Sequence, residues 1–199
     1  LPNLTDYSVL NKVDSEEFFF APPLKLHEHL QSGPFILISS PGAVGKTTLA
    51  KHIAYKYHGL YWNTAAKRVS GTAFAGEVAH AVGIGKGQQQ DLFYENLKSG
   101  KSFVVLDAFD EAALISQHEG IESFLEEIGS ILRDSSSPSI ILTARTEMAE
   151  FLLKTCQKYG FGITHYSIEY FHEASASEFI YQYLSYQKLN ITAAQKTEI

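Results

Sequence analysis

The stretch from Ile36 to Tyr55, "ILISSPGAVGKTTLAKHIAY", limits the fold of this chain more than any other part of its sequence. A short apolar run leads into a glycine-containing loop, and a helical pattern follows with Leu49, Ile53 and Ala54 on one face. A strand that turns through such a loop into a helix directs successive backbone N–H groups at one point, where they bind an anion. The stretch therefore predicts a phosphate-binding loop in an α/β fold.

The loop follows the pattern G-x-x-x-x-G-K-[ST] at every position except the first, where Ser40 replaces glycine. Because that position mainly eases the turn out of the strand, we expect a small serine to be tolerated there. Lys46 can reach the β- and γ-phosphates of a nucleotide, and the Thr47 hydroxyl can coordinate Mg²⁺. The predicted phosphate-binding residues are Pro41, Gly42, Ala43, Val44, Gly45, Lys46, Thr47 and Thr48.

Two later apolar runs each end in a charged residue, "FVVLD" at Asp107 and "IILTAR" at Arg145. Since the carboxyl ends of parallel strands meet at the ligand-binding edge of a sheet, both side chains are expected beside the loop. Asp107 is predicted to hold Mg²⁺ through water, together with Thr47. Asp110 and Glu111 lie close enough to orient an attacking water, and the sequence leaves open which of them does so. Arg145 is expected to contact the γ-phosphate and stabilise charge in the transition state.

Each of these residues also has a purely structural interpretation. Asp107 could cap a helix, and Asp110 and Glu111 could be exposed acidic residues of a first helical turn. Arg145 could pair with a nearby carboxylate. The combination of these positions with the loop favours the nucleotide-binding interpretation.

Further strand-like runs at residues 60–63 and 163–171 alternate with helical patterns, which is typical of a parallel sheet. The sequence predicts an α/β, three-layer fold with a mostly parallel five-stranded sheet and helices on both faces. Residues 1–26 are expected to pack near the nucleotide base, and residues 27–199 to form the core. An S-x-x-E pattern at Ser175 and Glu178 predicts the start of the last helix.

Composition narrows the partners that we expect for this domain. The chain has 199 residues, enough for one domain, and a net charge of −6 without a visible basic face, so no nucleic-acid contact is expected. No apolar run approaches the roughly 20 residues that span a bilayer, so no membrane contact is expected. Cys156 is the single cysteine, which favours a cytoplasmic setting. Because position 1 is not methionine, we expect the chain to be part of a longer protein.

The combination of "SSPGAVGKTT", "VVLDAFDE" and "ILTARTE" resembles the STAND class of signal-transduction NTPases, most closely its NACHT-like branch. "DAFDE" at 107–111 and "TAR" at 143–145 reproduce two motifs of that branch. The resemblance implies ATP or ADP, less often GTP, bound with Mg²⁺ in a cytoplasmic switch domain. Such a domain works with other domains of its chain, often in sensing and defence, and forms homo-oligomers on activation.

The resemblance has one departure that bears on catalysis. Ala108 follows the magnesium aspartate, where many related ATPases place a catalytic glutamate, so slow hydrolysis is expected. The alternatives are a P-loop kinase acting on a small molecule and a nucleotide-binding interaction module without hydrolysis. The kinase is disfavoured because the sequence has only three arginines, Arg68, Arg133 and Arg145, with which to clamp phosphates. The N-K-x-D sequence at residues 11–14 matches a guanine-reading motif, but it precedes the loop instead of following it.

Overall fold

A computed structural model describes residues 9–14, 18–30, 32–83, 87–135 and 137–187 of the chain. The strands are β1 (Leu24–Leu30), β2 (Phe35–Ser40), β3 (Leu60–Asn63), β4 (Val104–Asp107), β5 (Ile140–Arg145) and β6 (Ile163–Ile168). The helices are α1 (Lys46–Lys56), α2 (Ala73–Val82), α3 (Gly87–Lys98), α4 (Phe109–Ile131), α5 (Thr146–Tyr159) and α6 (Glu173–Tyr186). None of the helices in these ranges is long and apolar enough to cross a membrane.

The strands form one sheet in the order β1-β6-β2-β5-β4-β3. The strands from β6 to β3 pair in parallel, and their registers place Ser40 beside Arg145 and Asn63 beside Asp107. The central strands are buried on both faces, as expected for apolar runs such as "FILISS" and "VVLD". The parallel order brings the loop after β2 and the ends of β4 and β5 to one edge of the sheet.

The α/β, mostly parallel fold class is confirmed, but the predicted count of five strands was wrong, because the described residues form a sheet of six. The additional strand is β1, which pairs antiparallel with β6 at the edge of the sheet. Its sequence, "LKLHEHL", has three leucines separated by polar residues and contains no continuous apolar run. An edge strand can remain partly solvated, so its sequence carries a weaker signal than a buried strand.

Helices cover both faces of the sheet and complete three layers. The larger core lies between the sheet and helices α2 to α5, around Phe74, Phe109, Phe124 and Leu152. On the opposite face α1 packs through Leu49, Ala50 and Ala54, and the N-terminal segment joins it through Val13 and Phe19. The division of the chain between residues 26 and 27 stays a prediction, although β1 contains residues on both sides of it.

The last helix is attached to the domain through aromatic contacts. Phe18 lies 5.7 Å from Phe179 and 5.4 Å from Tyr183 between ring centroids, and Phe20 lies 5.8 Å from Phe179. The predicted N-cap at Ser175 was three residues too late, because the N-cap of α6 is the extended His172 and the helix begins at Glu173. No side chain forms a capping hydrogen bond there, so the capping-box pattern had no structural counterpart.

Candidate functional site

The loop between β2 and α1 has the geometry of an anion cradle. Ala43 and Gly45 adopt left-handed backbone conformations, with φ of 61° and 88°. A Cβ added at Gly42 or Gly45 would meet no protein atom within 4 Å, so the space beside both glycines is open to a ligand. The first backbone hydrogen bond of α1 runs from the Leu49 N–H to the Gly45 carbonyl, and the preceding N–H groups of the helix have no intrahelical partner.

A cavity of about 320 Å³ lies in front of this cradle. It brings together most of the residues that the sequence predicted: Gly42, Ala43, Val44, Gly45, Lys46, Thr47, Asp107, Asp110, Glu111 and Arg145. Ala108 also lines it. Two predicted residues do not line this cavity. Pro41 takes part only through its carbonyl, which accepts a hydrogen bond from Lys46, and Thr48 lines two other cavities.

Asp107 is buried, and both of its carboxylate oxygens accept hydrogen bonds from hydroxyl groups. Tyr61 on β3 donates to Oδ2 over 2.8 Å, and Thr143 on β5 donates to Oδ1. Burial and the neighbouring carboxylate raise the pKa of Tyr61, so its hydroxyl keeps the proton that it donates. The helix that follows is capped by Ala108 without a side-chain bond, so the alternative role of Asp107 as a helix cap was wrong.

The two acidic residues after β4 have different environments. Asp110 is nearly buried and forms an ion pair with Arg145, with 3.0 Å between Oδ2 and Nε. Glu111 is exposed and lines the same cavity, and within the described ranges it forms no ion pair. Asp110 is therefore occupied by the guanidinium, whereas the Glu111 carboxylate is available to a ligand or to water.

Lys46 projects from the first turn of α1 back onto the loop. Its ammonium donates to the Ser40 carbonyl, the Ser40 hydroxyl and the Pro41 carbonyl, over 3.3, 3.0 and 2.9 Å. Burial lowers the pKa of Lys46, and the charge of Asp110 partly offsets that effect. The lysine is thus held at the cradle as a partly desolvated cation.

The segment that carries the acidic residues is bounded by two unusual backbone conformations. Ala108 is left-handed, with φ of 58° and ψ of 39°, and Gln117 interrupts α4 with φ of 60° and ψ of 169°. Non-glycine residues rarely adopt positive φ, and such strain is common at functional sites. Residues 109–116 therefore form a short helix of their own next to the cavity.

A second cavity of about 430 Å³ lies on the other side of the loop. The two cavities share Ala43, Val44 and Gly45 as a common wall. The walls of the second cavity are mostly aromatic and include Phe18, Phe19, Phe20, Tyr170, Phe171, Phe179 and Tyr183. Its size and apolar lining suit a planar ring system.

The N-K-x-D sequence lines a third cavity, of about 360 Å³, together with Tyr61, Lys51 and His52. This cavity borders the first one at Thr47 and the aromatic one at Phe19 and Thr48. The side-chain amide of Asn11 donates to the Val9 carbonyl over 3.2 Å, and its backbone pairs with Tyr61. This segment packs against β3 and α1, outside the aromatic cavity.

Sequence reasoning missed the two donors to Asp107 and most of the aromatic walls. Thr143 carried a usable signal, because it is a polar residue inside an otherwise apolar strand next to the one ending in Asp107. Tyr61 carried none, since tyrosine is an ordinary strand residue and the strand order decides which neighbour it meets. The wall residues of α6 depend on a packing contact with the N-terminal segment, which no local pattern encodes.

The residues present suit a magnesium nucleotide. Thr47 and Asp107 offer only oxygen ligands, which Mg²⁺ prefers, and each Asp107 oxygen keeps a free lone pair for a metal-bound water. The fold, the cradle and these oxygen ligands together define a P-loop NTPase domain.

The chain belongs to the family described as "Novel STAND NTPase 3", whose sequence profile matches residues 24–185. The STAND-class prediction is thereby confirmed, whereas the NACHT-like subtype stays a prediction. A search of curated proteins found no match.

Solved structures with a similar fold are only distantly related in sequence. The Walker-type ATPase PABY2304 of Pyrococcus abyssi is 14% identical with a TM-score of 0.58, over 83% of this chain and 57% of that one. The replication initiator DnaA bound to AMPPCP and single-stranded DNA is 17% identical with a TM-score of 0.46, over 83% of this chain and 49% of that one. This chain thus spans about half the length of these proteins, and the likeness to the first one concerns the fold alone.

Proposed function

We propose that this domain binds ATP with Mg²⁺ and acts as a molecular switch with slow hydrolysis. The observation that carries the proposal is the arrangement of two cavities around the loop. The polar cavity, with Lys46, Asp107 and Arg145, suits a polyphosphate, and the aromatic cavity beyond Ala43–Gly45 suits a base. A nucleotide that crosses the loop would occupy both at once.

In this proposal the cradle N–H groups and Lys46 bind the phosphates, and the Thr47 hydroxyl coordinates the metal. Asp107 holds a metal-bound water and is itself oriented by Tyr61 and Thr143. When bound there, Mg²⁺ would supply charge neutralisation at the phosphate oxygens. The aromatic cavity holds the base by stacking, which does not by itself distinguish adenine from guanine.

The environments of the acidic residues support a division of roles. Glu111 orients the attacking water, because its carboxylate faces the cavity and is not engaged in an ion pair among the described residues. Asp110 positions Arg145, and the guanidinium contacts the γ-phosphate. Turnover is slow in this proposal, because Ala108 supplies no carboxylate directly after Asp107.

Family membership supports a proposal about the wider role of the domain. We infer that the domain belongs to a longer cytoplasmic sensor or defence protein, in which other domains sense a ligand and nucleotide state controls homo-oligomerisation. A kinase function gains no support, because Arg145 is the only arginine of the three that lines the polar cavity. Arg68 lines a groove beside Trp62 instead.

Binding without hydrolysis is a second candidate, and one observation favours it. Arg145 is paired with Asp110 in this structure, so the charge that would act on the γ-phosphate is already neutralised. A switch that only exchanges nucleotides needs the cradle and the base cavity but not Glu111. Measurement of phosphate release at saturating ATP separates the two candidates.

Two measurements test the proposal: identification of any nucleotide that co-purifies with the protein, and calorimetric titration with added nucleotides. The purified protein is denatured and any released nucleotide identified by chromatography, and the stripped protein is titrated with MgATP, MgADP and MgGTP by calorimetry. We expect micromolar or tighter binding that Lys46→Ala abolishes. Retained affinity in Lys46→Ala, or no binding of any nucleotide by the wild-type protein, would overturn the assignment.

A further inference from the structure

Ser40 is the residue at which the loop departs from the usual pattern. It ends β2, its side chain is fully buried, and its backbone φ is not positive, so glycine is not required there for conformational reasons. The neighbouring buried Ser39 bonds to His165 over 2.8 Å and does not contact the loop lysine. Ser40 thus differs from its neighbour in contacting the loop lysine.

The Ser40 hydroxyl accepts a hydrogen bond from the Lys46 ammonium over 3.0 Å. Its own proton goes to the Pro41 carbonyl, also over 3.0 Å, which leaves the oxygen free to accept. The ammonium has three N–H donors, and its other two acceptors are the carbonyls of Ser40 and Pro41. All three donors of Lys46 are therefore matched by oxygens of the protein.

A phosphate oxygen needs at least one of these donors. The two carbonyls belong to the backbone and are fixed by the strand and the turn, whereas the hydroxyl is on a rotatable side chain. Nucleotide binding therefore breaks the bond to the hydroxyl first. A glycine at this position would leave one ammonium proton available to a phosphate from the start.

We propose that Ser40 is a positioning residue that holds Lys46 against the loop in the nucleotide-free protein and so lowers the affinity for nucleotide. The proposal rests on nucleotide binding at this site. The serine raises the nucleotide concentration at which the domain becomes occupied. The departure from the usual pattern is thus a means of setting the threshold of the switch.

The main test compares Ser40→Ala with wild type by calorimetry with MgATP. Alanine removes the hydroxyl while keeping the backbone restricted, so we expect binding about fivefold tighter, the effect of one hydrogen bond. Ser40→Gly should also bind more tightly than wild type, and Ser39→Ala is the matched control that should bind like wild type. Equal or weaker binding by both Ser40 variants would overturn the proposal.

A second measurement needs no nucleotide. The acylation rate of each lysine in the nucleotide-free protein is followed by peptide mass spectrometry, with exposed Lys101 as the internal reference. Because the hydroxyl stabilises the ammonium and restrains it, Ser40→Ala should raise the relative rate at Lys46 severalfold, and Ser39→Ala should not. An unchanged rate at Lys46 would refute the role of Ser40. Failure of wild type to bind nucleotide would instead refute the proposed function.

Discussion

The Nε of Arg145 lies 3.0 Å from the Oδ2 of Asp110, and this ion pair separates the roles of two adjacent acidic residues. The side chain of Asp110 is 11% exposed and that of Arg145 is 56% exposed, so the pair stands at the wall of the cavity with its cation towards solvent. The carboxylate of Asp110 is engaged, and that of the neighbouring Glu111 faces the cavity.

The first prediction concerns this neighbouring carboxylate. Glu111→Gln should leave the dissociation constant for MgATP within about twofold and lower the rate of phosphate release by at least about 100-fold, the usual effect of losing a general base. Calorimetry and a phosphate-release assay measure the two quantities. Asp110→Asn serves as the comparison, and if it alone lowers the rate, the two roles are reversed.

The second prediction concerns Arg145. Arg145→Gln should weaken MgATP binding by tenfold or more while leaving MgADP almost unchanged, because a charged hydrogen bond to the γ-phosphate contributes about 1.5–3 kcal/mol. Competition binding with both nucleotides measures the difference. Arg133→Gln is the matched control, since Arg133 lines neither cavity at the loop. An equal loss for ATP and ADP would contradict the γ-phosphate contact.

The third prediction concerns the Tyr61 hydroxyl, which donates to Asp107, the residue proposed to hold magnesium. Tyr61→Phe keeps the ring in the core and removes the donor to Asp107, so the Mg²⁺ concentration that supports half-maximal nucleotide binding should rise about tenfold. Exposed Tyr57→Phe should leave it unchanged. If the Mg²⁺ dependence of both variants matches wild type, Tyr61 has no part in metal binding.

The fourth prediction concerns the aromatic cavity. Phe179→Ala should weaken ATP binding by about fivefold to 100-fold, because stacking of one base contributes about 1–3 kcal/mol. Binding of inorganic triphosphate should not change, since it has no base. Tyr186→Ala is the control, because Tyr186 contacts Phe18 but does not line the cavity. A parallel loss of triphosphate binding would indicate that the substitution damages the loop instead.

The fifth prediction concerns the left-handed residue after Asp107. Ala108→Gly should raise the free energy of unfolding by about 1 kcal/mol, because glycine adopts positive φ without a steric cost. Urea denaturation measures the change. Ala79→Gly within α2 has ordinary helical geometry and should lower the same quantity by about 1 kcal/mol. Loss of stability in Ala108→Gly would argue against the left-handed conformation.

The parts of the fold and site that were predictable from sequence share a physical cause. Buried parallel strands need continuous apolar runs, and a cradle needs small residues followed by lysine and threonine, so β2, β4, β5 and the loop were visible. The strand ends then indicated Asp107 and Arg145. Local sequence patterns and the rules for parallel sheets were therefore sufficient to predict these strands, the loop and the two charged residues.

The parts that were missed depend on contacts between segments far apart in sequence. β1 pairs with β6, and the hydrogen-bonded side chains of His27 and Ser167 in these two strands are 140 residues apart in sequence. The sequence of β1 itself shows only the pattern of a solvated edge strand. The bond from Tyr61 to Asp107 follows from the neighbouring positions of β3 and β4. The sequence allowed Arg145 to pair with a nearby carboxylate but did not identify Asp110 as the partner, because that depends on where the side chain after β4 lies relative to the end of β5.

The N-terminal segment has a practical consequence for anyone who expresses this domain. Asn11 pairs with Tyr61 at one edge of the sheet, and β1 pairs with β6 at the other. Between these two contacts in sequence, Phe19 stacks on His52 of α1 at 3.5 Å. The family match begins at residue 24, beyond Phe18, Phe19 and Phe20. A protein trimmed to that boundary would retain all six strands and the loop, yet it would lack one wall of the aromatic cavity. Under the proposed base-binding role of this cavity, we expect such a trimmed protein to bind nucleotide more weakly than the longer chain.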